Sequence, residues 1–103
     1  MIIVLARNFL KPGCRDAFIR LYQENLPNVL AEKGCIQYQL TQNADSGLAK
    51  QTPIGENTLI FVECWESIEA LHAHLAAPHM KAFAAAASEL RESSELRIVT
   101  PVC

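Results

Sequence analysis

The sequence predicts an α+β fold of the ferredoxin-like kind, a four-stranded antiparallel sheet with helices on one face. Three observations point to it. Segments 2–9, 35–42, 58–65 and 95–102 are short and β-branched or alternate with period two. Stretches 14–32 and 67–90 repeat apolar residues at helical spacing. The resulting order, strand–helix–strand–strand–helix–strand, is the split βαβ arrangement, and 103 residues suit one domain.

Each element has a local reason. Ile2 to Phe9 is an opening strand, closed by Lys11-Pro12-Gly13. The first helix, from about Cys14 to Glu32, carries Phe18, Leu21, Tyr22, Val29 and Leu30 as its stripe. Asp16 suits its first turn, Lys33-Gly34 ends it, and Pro27 is expected to kink it or split it near Asn25. In Cys35 to Gln42, Ile36, Tyr38 and Leu40 are expected on one face and Gln37, Gln39 and Thr41 on the other. Residues 43–57 are polar, hold Gly47, Pro53 and Gly55, and form a long loop. Thr58 to Trp65 is apolar on both faces except for Glu63, the pattern of a central strand.

Ser67 is a suitable N-cap, with Glu69 in the first turn. The stripe after it is read as Ile68, Leu71, His72 and Leu75. Pro78 restarts a helix whose inward residues are Met80, Phe83, Ala87 and Leu90. Nine of the eighteen residues from Ala70 to Ala87 are alanine, which favours helix and close approach to a sheet. The last strand, Glu95 to Val102, sets Leu96, Ile98, Thr100 and Val102 against Arg97 and Val99.

Composition limits the partners. Half the residues are hydrophobic and 19% are charged, below the usual ~25%. With both helices on one face of the sheet, the surplus apolar surface is expected to form a homodimer interface through the other face. A net charge of −2 gives no drive toward nucleic acid or anionic lipid. The apolar runs fall far short of the ~20 residues of a membrane span. No basic segment precedes the N-terminal apolar run, so it does not read as a signal peptide. Cys14, Cys35, Cys64 and Cys103 form no CxxC pair and are expected to be reduced thiols in a cytoplasmic protein.

Several residues are candidates for chemistry. Phosphate-loop, GxGxxG and GxSxG motifs are absent. His72, His74 and His79 cluster, but His72 and His74 are two apart and face different sides of a helix, and no acidic residue lies between Glu69 and Glu89. The expectation is therefore no metal site. A histidine facing a cavity can instead accept a proton from a weakly acidic substrate. Glu63 shares a face with Phe61 and Trp65, where a lone carboxylate costs several kcal/mol unless paired or protonated. Its expected partner is Arg7, Arg97 or a backbone donor, or else it orients a histidine. Trp65 suits either the core or the wall of a pocket for a flat aromatic. Asn8, near the end of the first strand, is either a turn former or an amide that binds an oxyanion.

The run Glu63-Cys64-Trp65-Glu66-Ser67, followed by Leu71, His74-Leu75 and Pro78-His79-Met80-Lys81-Ala82-Phe83, resembles the antibiotic biosynthesis monooxygenase domain family. Within that family the resemblance is to quinol monooxygenase-like proteins. It extends over the opening strand, Pro12-Gly13, Glu32-Lys33-Gly34-Cys35 and the last strand. It implies a dimeric α+β barrel, a pocket between sheet and helices in each subunit, and oxygenation of quinols, anthrones or related phenols by O₂ without flavin, haem or metal. On that basis His74 or His79 is expected to be the base, Asn8 the oxyanion donor and Glu63 an orienting group. Trp65, Tyr38, Phe83, Phe61 and Tyr22 are expected to surround the substrate. The Trp and downstream His of haem-degrading relatives are not matched: His74 stands at the Trp position.

Two other functions fit the same residues. One is isomerisation of a small phosphorylated diketone, which needs cations near the pocket; Arg7, Lys11, Lys81, Arg91 and Arg97 are scattered along the chain. The other is a non-catalytic binding or stress-response module, expected to show solvent-facing histidines and no cavity above ~300 Å³.

Overall fold

The computed structural model describes residues 1–103. Seven elements follow one another: β1 (Ile2–Leu10), α1 (Arg15–Leu30), β2 (Cys35–Thr41), β3 (Thr58–Trp65), α2 (Ile68–Ala76), α3 (Pro78–Ser88) and β4 (Arg91–Val99). The strands form one antiparallel sheet in the order β2-β3-β1-β4. Both middle strands are rich in Ile, Leu and Val, the pattern of central strands. The predicted ferredoxin-like topology is therefore present.

The helices pack on one face of the sheet. There Val4, Asn8 and Leu10 of β1 and Leu59, Phe61, Glu63 and Trp65 of β3 are buried. Phe18 and Val29 of α1, Leu71 of α2, and Phe83 and Ala87 of α3 complete the core. Phe61 lies at its centre, with ring centroids 5.2 Å from Tyr38, 6.1 Å from Phe18 and 6.0 Å from Phe83. Those offset and edge-on contacts add to the area each ring buries.

Local geometry departs from the sequence pattern at five places. Pro27 does not split α1, which continues to Leu30. A proline removes one hydrogen bond, and buried Asn25 and Val29 hold the last turns against the core. Leu30 turns outward. The β2–β3 register shifts between Cys35 and Gln37, so Ile36 is exposed while Tyr38 is buried. The strict alternation expected there is broken by this bulge. In α2 the inward residues are Leu71 and His74; Ile68, His72 and Leu75 face outward.

The fifth departure is in β4, which starts four residues before the predicted Glu95 and ends at Val99. Arg91 to Ser94 carry no β-forming pattern, but β1 supplies ladder partners along its whole length, pairing Leu10 with Arg91 and Asn8 with Ser94. Thr100 to Cys103 lie beyond the strand. Residues 43–57 form the expected loop.

Glycine is required at one packing point. Gly34 has φ +86°, and a Cβ there would lie 2.6 Å from the Ala70 methyl. Its carbonyl accepts from the Glu66 amide at 2.8 Å. The turn after α1 is thereby pinned to the start of α2, which places Glu32 beside the helix that carries His74.

Candidate active site

His74 reaches the interior because Ser67 sets the phase of α2. The Ser67 hydroxyl accepts from the Ala70 amide at 3.1 Å, fixing the first turn. Seven residues later His74 faces the sheet at 1% exposure, its ring centroid 4.4 Å from Trp65 and 5.5 Å from Tyr38. Its Nδ1 donates to Glu32 Oε2 at 2.7 Å. A carboxylate accepts only, so the proton sits on Nδ1 and the Nε2 lone pair is free of any protein partner. Burial keeps the ring neutral by lowering its pKa, against the opposing pull of the Glu32 hydrogen bond.

A cavity of about 220 Å³ lies between the sheet and the α2–α3 layer. Its aromatic wall is Tyr38, Phe61 and Phe83, and its polar groups include His74, Glu63, Asn8 and Arg91. The structure therefore brings together six residues the sequence singled out: His74, Asn8, Glu63, Tyr38, Phe61 and Phe83. Trp65 and Tyr22 are not in its lining. Trp65 lies behind His74, and Tyr22 stacks behind Tyr38 with its hydroxyl donating to the Tyr38 carbonyl at 3.3 Å. The Tyr38 phenol is held neutral, its pKa raised well above the ordinary value by burial and by nearby Glu63.

Glu63 has neither an arginine nor a histidine as partner. Its Oε1 accepts from the Trp65 indole N–H at 3.0 Å, two residues along the same strand face. The pairing expected from sequence fails because Arg7 and Arg97 are on the opposite face of the sheet, bound to Glu95 at 3.7 and 3.3 Å. Burial pushes the Glu63 carboxyl up to about 7, only partly offset by the Trp65 hydrogen bond. It can thus hold or release a proton near neutral pH.

Asn8 is buried within β1, opposite Leu59 and Ser94, and is not a turn residue. Its Oδ1 accepts from Arg91 Nη1 at 2.8 Å and its Nδ2 donates to the Ala6 carbonyl at 3.2 Å. The amide is oriented, and Arg91 adds a cation at that side of the cavity. Arg91 sits in a segment without strand character, so only its ladder position beside β1 reveals it.

His79 is separated from the cavity. It lines a second, open groove of about 270 Å³ with Glu24, Asn25 and Asn28 of α1. Its Nδ1 donates to Asn25 Oδ1 at 3.1 Å, and its Nε2 lies 3.6 Å from Glu32 Oε2. Glu32 thus serves both imidazoles, although it stands 42 residues before His74. No periodicity links such distant positions. No group of three or more His, Cys, Asp or Glu side chains is arranged to hold a metal ion. No helix is long and apolar enough to cross a membrane.

Comparison with known proteins agrees with this architecture. Residues 1–86 match the antibiotic biosynthesis monooxygenase family model. The chain is 33% identical over 103 residues to the probable quinol monooxygenase YgiN of Escherichia coli K12, covering 98% of each chain. A conserved protein from Methanosarcina mazei Go1 superposes with a TM-score of 0.82 at 26% identity, covering 95% of this chain and 89% of that one. Rv0793 from Mycobacterium tuberculosis superposes with a TM-score of 0.81 at 26% identity, covering 99% and 95%. The chain belongs to the antibiotic biosynthesis monooxygenase family.

Proposed function

We propose that this protein oxidises a small quinol or related phenol with O₂, with His74 as the base and no bound cofactor. The observation that carries the reading is the buried His74, its Nδ1 proton locked to Glu32, in the wall of an aromatic-lined cavity. The Nε2 lone pair takes the phenolic proton, leaving an electron-rich anion. Arg91 and the Asn8 amide form the polar side of the cavity and favour charge on the substrate oxygen. The anion passes one electron to O₂. The radical pair then forms a C–O bond, and the resulting peroxide loses water. Each turnover places one oxygen atom in the product and releases the other as water, with two hydrogens from the substrate. Glu63, which binds a proton near neutral pH, is the second group able to supply one to the departing oxygen.

The outer face of the sheet supports a homodimer. A depression there is lined by Leu5, Ile60, Val62, Thr41, Arg7 and Arg97. Sedimentation velocity with an Ile60→Glu variant tests this: wild type is expected to run as a dimer and the variant as a monomer, and a monomeric wild type would remove the homodimer.

One observation favours a binding module instead: the cavity, at about 220 Å³, is smaller than the ~300 Å³ at the lower end of ordinary ligand pockets. His72 faces solvent and His79 is 24% exposed, as that reading expects, but His74 is buried in the cavity wall. Phosphate binding has weaker support, because Arg91 is the only Lys or Arg in the lining and it is engaged with Asn8. Oxygen uptake with a menadiol-like quinol, corrected for autoxidation, decides between these. Wild type is expected to consume O₂, and His74→Ala to lose at least about a hundredfold in kcat. Equal rates for the two would remove His74 as the base, and no uptake by wild type would leave the binding module.

A further inference from the structure

Glu32, His74 and His79 form a chain of titratable groups that leads from the aromatic-lined cavity to the open groove beside α1, and base catalysis at His74 alone does not account for it. Three facts define the chain. One oxygen, Glu32 Oε2, lies 2.7 Å from His74 Nδ1 and 3.6 Å from His79 Nε2. His79 Nε2 is a buried polar atom with no hydrogen-bond partner. Asn25 Oδ1, which also accepts from Asn28 Nδ2 at 3.2 Å, fixes the His79 proton on Nδ1, so in the neutral ring Nε2 presents a lone pair toward the carboxylate. A buried acceptor facing another acceptor is unsatisfied; one further proton between them satisfies both.

We propose that Glu32 and His79 are a proton store behind His74. When His74 Nε2 takes the substrate proton, its Nδ1 proton passes to Glu32 Oε2 and on to His79 Nε2. His74 ends neutral with its proton on Nε2, Glu32 is again a carboxylate, and His79 is an imidazolium bonded to Asn25 and Glu32. One proton has entered and one positive charge has moved outward, so atoms and charge balance. The reverse transfer returns the proton when the peroxide oxygen leaves as water.

Two physical consequences favour this destination. His74 is 1% exposed against Trp65, where a cation is costly, whereas the His79 side chain is 24% exposed beside a groove that also holds Glu24. The charge also moves 6.4 Å between ring centroids, away from the substrate anion. An anion without an adjacent imidazolium gives up an electron to O₂ more readily. Pro78 makes the geometry possible. It separates α2 from α3, so residues five apart both reach the same carboxylate. The other titratable groups near the pair are Cys35 and Tyr38 of β2, Glu63 of β3 and Glu24 of α1. Burial and Glu32 push the Cys35 thiol up, which leaves Glu63 as the neighbour that titrates near neutral pH.

The store rests on the proposed oxidation, but it has a test of its own. Nitrogen-15 NMR titration of the imidazoles in a Glu63→Gln background, without substrate, is expected to show His74 and His79 titrating as a coupled pair with the proton settling on His79. Glu32→Gln, which keeps an acceptor for His74 but carries no proton, is expected to uncouple them. Titration curves that are unchanged by Glu32→Gln overturn the store whether or not the protein oxidises quinols. In oxygen uptake, His79→Ala is expected to lower kcat about tenfold to a hundredfold at unchanged KM. Added imidazole, entering the open groove, is expected to restore most of that rate. An unchanged kcat in His79→Ala, or a loss that imidazole does not restore, overturns the role in turnover. Absence of oxygen uptake in wild type removes the proposed oxidation and leaves the titration to decide the cluster.

Discussion

The two sides of the inner sheet face are built alike and end differently. On β3, Leu59, Phe61, Glu63 and Trp65 alternate inward and are all buried under the helices. On β4, Ser94, Leu96 and Ile98 pair with Asn8, Ala6 and Val4 and so point to the same side, yet Leu96 is 58% and Ile98 47% exposed. The helix layer buries the inner face of β3 and β1, and although α3 still touches β4 it leaves Leu96 and Ile98 uncovered. The same alternation therefore yields a core on one strand and an open cavity rim on another. Burial follows from how far the helices reach, and the cavity lies along that boundary, with Leu96 in its lining.

Truncating a side chain on each side tests this contrast, with the largest effect expected under the helices. Trp65→Ala is expected to cost about 3–5 kcal/mol, because the ring is fully buried and supports both His74 and Glu63. Urea unfolding measures that cost. A loss under ~1 kcal/mol would mean that the covered side is loosely packed.

Glu63→Gln sharpens the electrostatics of the covered side. The Glu63 carboxyl is pushed up from 4.5 to about 7 in the fold. Between those values the native state binds more protons than the unfolded chain, so stability falls as pH rises through that window. Gln keeps an acceptor for Trp65 and removes the ionisation. It is expected to stabilise the protein by on the order of 1–3 kcal/mol at pH 8 and by almost nothing at pH 4. Thermal melts at the two pH values check this. His74 works in the opposite direction: its lowered pKa means that stability is lost as pH falls below the ordinary histidine value.

Gly34→Ala tests how the cover is held down. The added methyl meets Ala70 at a positive φ, so a loss of about 1–3 kcal/mol is expected. Because that contact positions Glu32 beside α2, the His74 imidazole resonance is expected to shift as well. The smallest effect is expected at the open side. Leu96→Ala should change stability by no more than ~0.5 kcal/mol in an isolated chain. A larger loss that grows with protein concentration would show that a second copy covers β4.

Much of this was legible in the sequence because the signals were local. Alternation in β1 and β3, the Ser67 cap, the Pro78 restart and the glycine after α1 place the strands, the helices and the topology. Tyr38, Phe61, Phe83 and Glu63 stand out by residue type and phase, whereas Asn8 and His74 stand out through the family resemblance. The phase of α2 is not legible in the sequence, because a nine-residue helix with three alanines offers two competing stripes and the more apolar one carries His72 rather than His74. The outward turn of Ile36 is not legible either, because a bulge adds a residue without altering composition.

Chain order and phase, properties of neighbouring residues, determined the βαββαβ fold and that the Glu63 carboxylate faces the space beneath the helices. Tertiary structure alone decided the polar partners. Glu32 meets His74 across 42 residues, Arg91 meets Asn8 across 83, and Glu63 takes Trp65 rather than an arginine because the pleat sends Arg7 and Arg97 to the other face. The physical reason is that hydrogen bonds and desolvation act over a few ångströms in space, and only the folded chain brings distant positions that close.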